Sequence, residues 1–368
     1  MKRVLFITNY AAPYKVEFYD ELSRYLDVTV LFADKIEDQK HRTSEWFTQG
    51  NGGFHAVQLT RSVGTLNGEN LCVDVMKWVR KPWDAIVLGG YSSPTLMFAM
   101  AYLRLMRIPF WMEVDGGIIR QDTPLKYKIK RLLVSGASAY LSSGKATTEY
   151  LVHYGAKSEK VWEYPFTSLF EKDILPKPVS AEEKQTLRQE LNLQEGKVIL
   201  SIGQFIHRKG FDILLKAAAR LPEDTHIYIV GGEPTEEYRQ LCTELSLKNV
   251  HFLGFMNKER LLQFYKAADL FVLPTREDIW GLVINEAMAF GLPVVTTDRC
   301  VAGLELVEDG VTGYIVPVED VNALADKINL TLSGDYGAMG AAALEKVRPY
   351  TIENMAKTHV EIFSKQEK

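Results

Sequence analysis

Apolar and polar positions alternate in blocks along the whole chain. Residues 3–8 read RVLFIT, a short apolar run with the length of a buried strand. PYKVEFYDELSRYL follows and spaces Val16, Tyr19, Leu22 and Leu26 at helical intervals. VTVLFA (28–33) and AIVLGG (85–90) predict further strands, and a helix is expected over 94–106. PFWMEV (109–114) and AYLSS (139–143) continue the series, with helices between them. Strands that alternate with helix-length segments predict parallel sheets with crossover helices.

The pattern pauses at EKDILPKPVSAEEKQTLRQELNLQEGK (171–197), which is polar, holds two prolines and lacks a buried strand. It reads as a linker leading into a surface helix. The alternation then restarts with VILSIG (198–203), HIYIVGG (226–232), VHFLG (250–254), LFVLP (270–274), PVVTT (293–297) and GYIVP (313–317). The expected architecture is α/β, with two Rossmann-like, doubly wound parallel-sheet domains facing across a cleft. The first spans 1–170 and the second 197–345, with 171–196 as linker. Residues 346–368 form a C-terminal helix expected to pack back on the first domain. Ligands of open α/β sheets bind beyond the carboxyl ends of the strands, so the loops that follow strands are the informative positions.

Composition adds exclusions more than assignments. With 46% hydrophobic and 24% charged residues the chain reads as an ordinary globular protein. Its net charge of −4 divides unevenly: residues 1–170 hold 21 Lys and Arg against 17 Asp and Glu. That mild basicity fits an anionic surface, or simply chance, and does not call for nucleic acid. Cys72, Cys242 and Cys300 lie far apart, which argues against a disulfide framework or a zinc site and fits a reducing compartment. The first ten residues hold too short an apolar run for a signal peptide, and no run approaches the ~20 residues of a membrane span. A cytoplasmic location is the expectation.

Two loops carry candidate chemistry. GQFIHRKGF places Arg208 and Lys209 where a strand gives way to a helix, between Gly203 and Gly210. Two cations beside free helix N–H groups suit a pyrophosphate; they also make an ordinary solvated turn. The second loop is TREDIWGLVINEAMAFGLPVV, from Thr275 to Val295. Gly281 allows close backbone approach, and the amides of Leu282 and Val283 open a helix and can bind phosphate oxygens. Glu286 lies one turn in, where a carboxylate can accept from vicinal hydroxyls such as those of a ribose. Asp278 precedes it by eight positions, with seven residues between them. Singly, Glu286 suits any helix start and Asp278 any turn.

Together, Asp278-IWGLVIN-Glu286 followed by AMAFGLPVV resembles the E-x7-E motif of the family 4 retaining glycosyltransferases. These have the GT-B fold and include many bacterial enzymes of polysaccharide and lipopolysaccharide assembly. GQFIHRKG resembles the phosphate loop of that family, and VHFLGFMNKERLLQFYKAADLFVLPT and VEDGVTGYIVP resemble the segments around the motif. The similarity is strong over 197–320 and weaker over 1–170. It implies that Lys209 neutralises the diphosphate of a UDP- or GDP-sugar, with Arg208 assisting. Gln204 stands where the family carries an arginine. Leu282 and Val283 would cradle the distal phosphate, Glu286 would hold the ribose, and the base would rest near Gly254 and Phe255. Asp278, one methylene shorter than the usual glutamate, would meet the donor sugar.

The resemblance also assigns the acceptor, a glycan or lipid-linked saccharide, to the first domain. Glu113 and Asp115 end a strand there, and Asp115 is the candidate to take the acceptor hydroxyl's proton or fix the donor pose, or else is a turn residue before Gly116 and Gly117. Asn9, Pro13 and Tyr14 would line the acceptor side. No cofactor and no metal are expected. TNYAAPYKVEF, after the first strand, lacks the G-x-G-x-x-G of a nicotinamide site. TPLKYKIKRLL (123–133) is a basic amphipathic helix that suits anionic lipid at the inner membrane face, or plain solvent. The reading is hexosyl transfer with retention, in surface polysaccharide synthesis. The alternatives are a sugar-nucleotide epimerase on the same scaffold and a non-catalytic nucleotide-sugar-binding partner.

Overall fold

The computed structural model describes residues 1–34 and 52–365. The chain separates into two compact units, Met1–Phe170 with Tyr350–Lys368, and Glu171–Pro349.

The first unit runs β1 (Arg3–Thr8), α1 (Pro13–Leu22), β2 (Asp27–Phe32), β3 (His55–Gln58), β4 (Ser62–Leu66), β5 (Glu69–Cys72), α2 (Val75–Val79), β6 (Ala85–Gly89), α3 (Pro94–Leu105), β7 (Trp111–Val114), α4 (Pro124–Val134), β8 (Ala139–Ser142), α5 (Lys145–His153) and β9 (Val161–Glu163). The second runs α6 (Ala181–Glu190), β10 (Lys197–Ile202), α7 (Phe211–Ala218), β11 (Thr225–Val230), α8 (Glu236–Glu244), β12 (Val250–Leu253), α9 (Lys258–Ala267), β13 (Leu270–Leu273), α10 (Leu282–Ala289), β14 (Val294–Thr297), α11 (Val301–Leu306), β15 (Gly313–Val316), α12 (Val321–Ser333) and α13 (Tyr336–Val347). The chain then returns to the first unit with α14 (Ile352–Lys365).

Each unit is built on a parallel sheet. Strand order is β3-β2-β1-β6-β7-β8-β9 in the first and β12-β11-β10-β13-β14-β15 in the second. Parallel strands covered on both faces must be apolar throughout, and β1, β2, β13 and β14 are buried along nearly their whole length. Helices α3 and α7 supply the facing layers, through Leu96, Met100 and Leu103 in one core and Leu214, Leu215 and Ala218 in the other. In both sheets the chain order reverses at one point, between β1 and β6 and between β10 and β13. The loops leaving those strand pairs diverge to opposite faces and leave a crevice, the general ligand position of this architecture.

Three parts of the first unit were not expected: the short strands β3 and β9 of its sheet and the separate antiparallel β4–β5 hairpin. The segment read as a linker also has a different place. Residues 171–196 belong to the second unit, where α6 packs on α9. The physical reason is a buried acid: Asp269 accepts an ion pair from Arg188 at 2.7 Å and from Lys184 at 3.5 Å, so the polar face of α6 has partners rather than only water. Helix α14 packs on α1.

Candidate functional site

In the second unit the loops after β10 and β13 are stitched together chiefly through backbone. The Arg276 amide and the Thr275 hydroxyl both donate to the Arg208 carbonyl, at 2.8 and 2.9 Å. Gly210 sits at φ +70°, and a Cβ there would lie 2.1 Å from the Pro274 carbonyl oxygen, so only glycine permits this approach. Arg276 completes the seam. Its guanidinium makes two 2.8 Å bonds to Asp212 on α7, another to the His207 carbonyl, and a 2.7 Å bond to Glu319. Two parallel N–H···O bonds of this kind fix orientation as well as distance.

The seam brings the predicted cations to the predicted acid. Lys209 Nζ lies 2.5 Å from Asp278 Oδ2, and Arg208 Nη1 lies 3.3 Å from Oδ1 while donating to the Glu277 carbonyl at 2.6 Å. Two cations thus share one carboxylate at the mouth of the switch-point crevice. Gly281 enters α10 at φ +102°, and a Cβ there would meet Cys300 Sγ at 2.7 Å. Leu282 and Val283 are half-buried in the first turn, and no side chain caps it. Burial pushes the Cys300 thiol up to about 12, which makes it a packing group rather than a nucleophile.

Glu286 lies one turn further along α10 and accepts a 2.7 Å hydrogen bond from the Tyr265 hydroxyl. Tyr265 itself stacks on Phe290 at 5.4 Å with the rings nearly parallel. Burial raises the Glu286 carboxyl above its ordinary range, and the Tyr265 bond works against that rise. Gly203 places the Lys209 stem beside it, and its carbonyl oxygen would lie 1.7 Å from a Cβ at Gly231. Gln204 is exposed. Gly254 and Phe255 are exposed too, with the Phe255 ring against Gly232. The structure therefore gathers Arg208, Lys209, Asp278 and Gly281, sets Glu286 of α10 against Tyr265 of α9, and lines a further edge with Gly231, Gly232 and Phe255. Sequence reading passed over Arg276 and Tyr265. Arg276 had a signal, since it stands inside the quoted loop; Tyr265 had none, because its partner is 21 residues away.

In the first unit, the loop after β1 and the end of β7 enclose a cavity of about 140 Å³ lined by Asn9, Tyr10, Tyr14, Lys15, Gly89 and Asp115 among others. Lys15 Nζ lies 2.8 Å from Asp115 Oδ2, and the hydroxyls of Tyr14 and Tyr164 donate to the same carboxylate at 3.4 and 3.3 Å. Asn9 lies on the cavity wall and donates to Glu69 at 3.1 Å. Pro13 opens α1, where a proline needs no N–H partner. Glu113, expected on the acceptor side, points elsewhere: it is 3% exposed and faces His359 of α14 at 3.3 Å. Strand alternation would give Glu113 and Asp115 the same side; they differ because Glu113 lies within β7, buried against His359, whereas Asp115 stands one residue past the strand's end, on the cavity wall. Among the described residues no group of three or more His, Cys, Asp or Glu side chains is placed to hold a metal ion.

With this geometry in hand, comparison with known proteins is decisive for the second unit. Residues 183–348 match the sequence profile of the glycosyl transferases group 1. The matched residues take up nearly all of the second unit. The D-inositol 3-phosphate glycosyltransferase of Mycolicibacterium smegmatis is 35% identical over 163 residues, 42% of this chain and 37% of that protein. The chain spans about half the length of the curated relatives it matches. Solved structures extend the likeness to the whole chain. Sucrose-phosphate synthase of Thermosynechococcus elongatus superposes with a TM-score of 0.76 at 19% identity, over 100% of this chain and 99% of that one. Anabaena Alr3699/HepE in complex with UDP-glucose gives 0.76 at 20% identity, over 99% and 100%. The chain has the GT-B fold, with two Rossmann-like parallel-sheet units.

Proposed function

We propose that the protein transfers a hexose from a nucleoside-diphosphate sugar to a hydroxyl of a glycan or lipid-linked acceptor, with retention at the anomeric carbon. The observation that carries the reading is the shared contact of Lys209 and Arg208 with Asp278 beside the uncapped start of α10. The diphosphate takes over the two cations and the amides of Leu282 and Val283. Fixed cations and peptide dipoles of this kind stabilise the charge of a departing diphosphate. Glu286, held by Tyr265, receives the ribose hydroxyls, and the base lies along Gly231, Gly232 and Phe255. Asp278, released from the cations, meets the donor sugar. Asp115 and the cavity around it receive the acceptor. The nucleotide is UDP or GDP; the UDP-glucose complex of the Anabaena neighbour makes uridine the first to test.

The test is nucleotide release from UDP- and GDP-sugars, with and without saccharide acceptors, alongside calorimetry with UDP and GDP. Acceptor-dependent release that Lys209→Met removes supports the reading. A converted sugar without acceptor marks an epimerase, and binding without turnover marks a non-catalytic partner; either outcome sinks transfer.

A membrane contact has its own support. Thr123 caps α4, and Leu125, Ile129 and Leu132 stand exposed at 70%, 48% and 66%. Lys126, Lys128 and Arg131 flank them, while Lys130 turns inward to Asp122 at 2.9 Å. An apolar ridge rimmed by cations lies readily on anionic lipid. Co-sedimentation with phosphatidylglycerol vesicles checks it, and retention undiminished by a Leu125→Ser, Leu132→Ser double variant rules it out. No helix among the described residues is long and apolar enough to cross a membrane.

A further inference from the structure

Four ionisable side chains meet inside the first unit, and the reading above uses only one of them. Lys15, Glu113 and His359 are 9%, 3% and 0% exposed. They come from α1, β7 and α14, with Asp115 just beyond β7. Lys15 Nζ lies 2.8 Å from Asp115 and 3.9 Å from Glu113. Glu113 Oε1 lies 3.3 Å from His359 Nε2, and His359 Nδ1 lies 2.8 Å from the Met355 carbonyl oxygen. That oxygen only accepts, so Nδ1 carries a proton. The contact of Nε2 with a carboxylate oxygen then needs a second proton, on one atom or the other. With that proton on the imidazole, Lys15 and His359 balance Glu113 and Asp115 one for one. Burial works against the ionised form of Glu113, yet the His359 bond and the Lys15 charge hold its carboxyl below the usual range.

The surroundings leave little freedom. Phe18 and Tyr164 close on the His359 ring at 4.8 and 4.6 Å between centroids. Tyr164 also donates to Asp115, so one aromatic touches both ends of the network. Apolar residues of similar volume would generally be at least as stable here, because taking charges out of water is costly. A set of charges retained in a core is therefore worth asking for a role. This one reaches open space at the cavity of about 140 Å³, where Asp115 and Lys15 form part of the wall.

We propose that Lys15 and His359 are positioning residues for Asp115: the C-terminal helix, through Glu113 and Lys15, sets where the acid that receives the acceptor stands. The inference rests on the transferase reading for the meaning of Asp115, but not for its placement. It gives α14 a task in the first unit's chemistry although none of its residues lines that cavity.

The experiment uses the full chain and the variants Lys15→Met, Lys15→Arg, His359→Leu and His359→Gln. Crystal structures read the placement of Asp115 without any turnover. In Lys15→Met and His359→Leu the Asp115 carboxylate shifts or loses a tyrosine bond; in Lys15→Arg and His359→Gln, which keep a donor, it stays. Kinetics with UDP-glucose and saccharide acceptors then shows kcat down by about 10- to 100-fold in the first pair. Donor KM and the Kd of UDP change less than about twofold, and the second pair recovers most of the rate. An Asp115 that keeps its place and both phenol bonds in Lys15→Met overturns the proposal, as does a rate loss that Lys15→Arg does not relieve. A wild-type chain that transfers nothing while Asp115 moves as described upholds the positioning and refutes the transferase reading, so the two failures are told apart.

Discussion

The two units hold their charges in opposite ways. In the first, Lys15, Asp115, Glu113 and His359 form a buried set made by side chains from three separate elements, with its charges paired off. In the second, Arg208 and Lys209 share a single carboxylate on loops sewn together by backbone contacts and by Arg276. Side-chain exposure separates only the extremes, Arg208 at 45% and His359 fully buried, since Lys209 at 14% is close to Lys15 at 11%. A closed, balanced set holds a shape. An open set with more cations than anions can trade its carboxylate for a phosphate. The difference teaches that the same residue types serve rigidity where water is excluded and exchange where it is not.

The contrast can be broken most sharply at Lys209. Lys209→Met removes the ammonium that faces Asp278, and transfer should fall by about 10²- to 10³-fold, the usual loss when one preorganised stabiliser of developing charge goes. Steady-state nucleotide release measures it, and a drop of less than about threefold would show that the loop cations are merely solvated. Next comes the seam. Arg276→Ala leaves Asp212 without its two bonds and should cost about 1.5–3 kcal/mol in urea unfolding, the range for hydrogen bonds to charged groups. If stability is unchanged, the loops are not held by this residue.

Glu286 sharpens the comparison because its two expected effects have opposite signs. Burial raises its carboxyl in the folded protein, so the folded state binds this proton more tightly than the unfolded chain. Stability from this group is therefore complete below the ordinary carboxyl range and is lost as pH rises through the raised value. At neutral pH, Glu286→Gln should raise the Tm of the ligand-free protein while weakening UDP or GDP about tenfold, near 1.4 kcal/mol. A lowered Tm at neutral pH would contradict the sign. The smallest effect belongs to Asp278→Asn. It frees two partly exposed cations, so UDP alone should bind up to about fivefold more tightly, the ~1 kcal/mol ceiling for such pairs. Calorimetry decides, and weaker binding would mean that Asp278 is not the group a phosphate displaces.

Much of the scaffold could be read from residue pattern, because parallel strands covered on both faces leave uninterrupted apolar runs such as RVLFIT and LFVL. What escaped was structure with a weak pattern. Strand β3 and the β4–β5 hairpin are exposed or half-buried over most of their length, so no run of apolar residues announces them. Helix α6 looked like linker because its contacts to Asp269 are polar and more than 80 residues away. In the site, local signals were legible: glycines at loop ends, cations before a helix and an acid one turn into another. Groups whose value lies in a distant partner were not. Tyr265 gives no hint that it meets Glu286, and His359 stands in an ordinary amphipathic helix.

The sequence by itself determined the two β/α series, the loops that carry chemistry, and the residue types able to meet a phosphate or a hydroxyl. These follow from short-range rules of periodicity, glycine freedom and helix ends, which act within a few residues. Only the tertiary structure decided that α6 joins the second unit, that Glu113 turns inward to α14, and that two cations converge on Asp278. Those outcomes depend on which distant groups share one buried volume, where an unpaired charge is costly and every polar atom must find whichever partner the fold delivers.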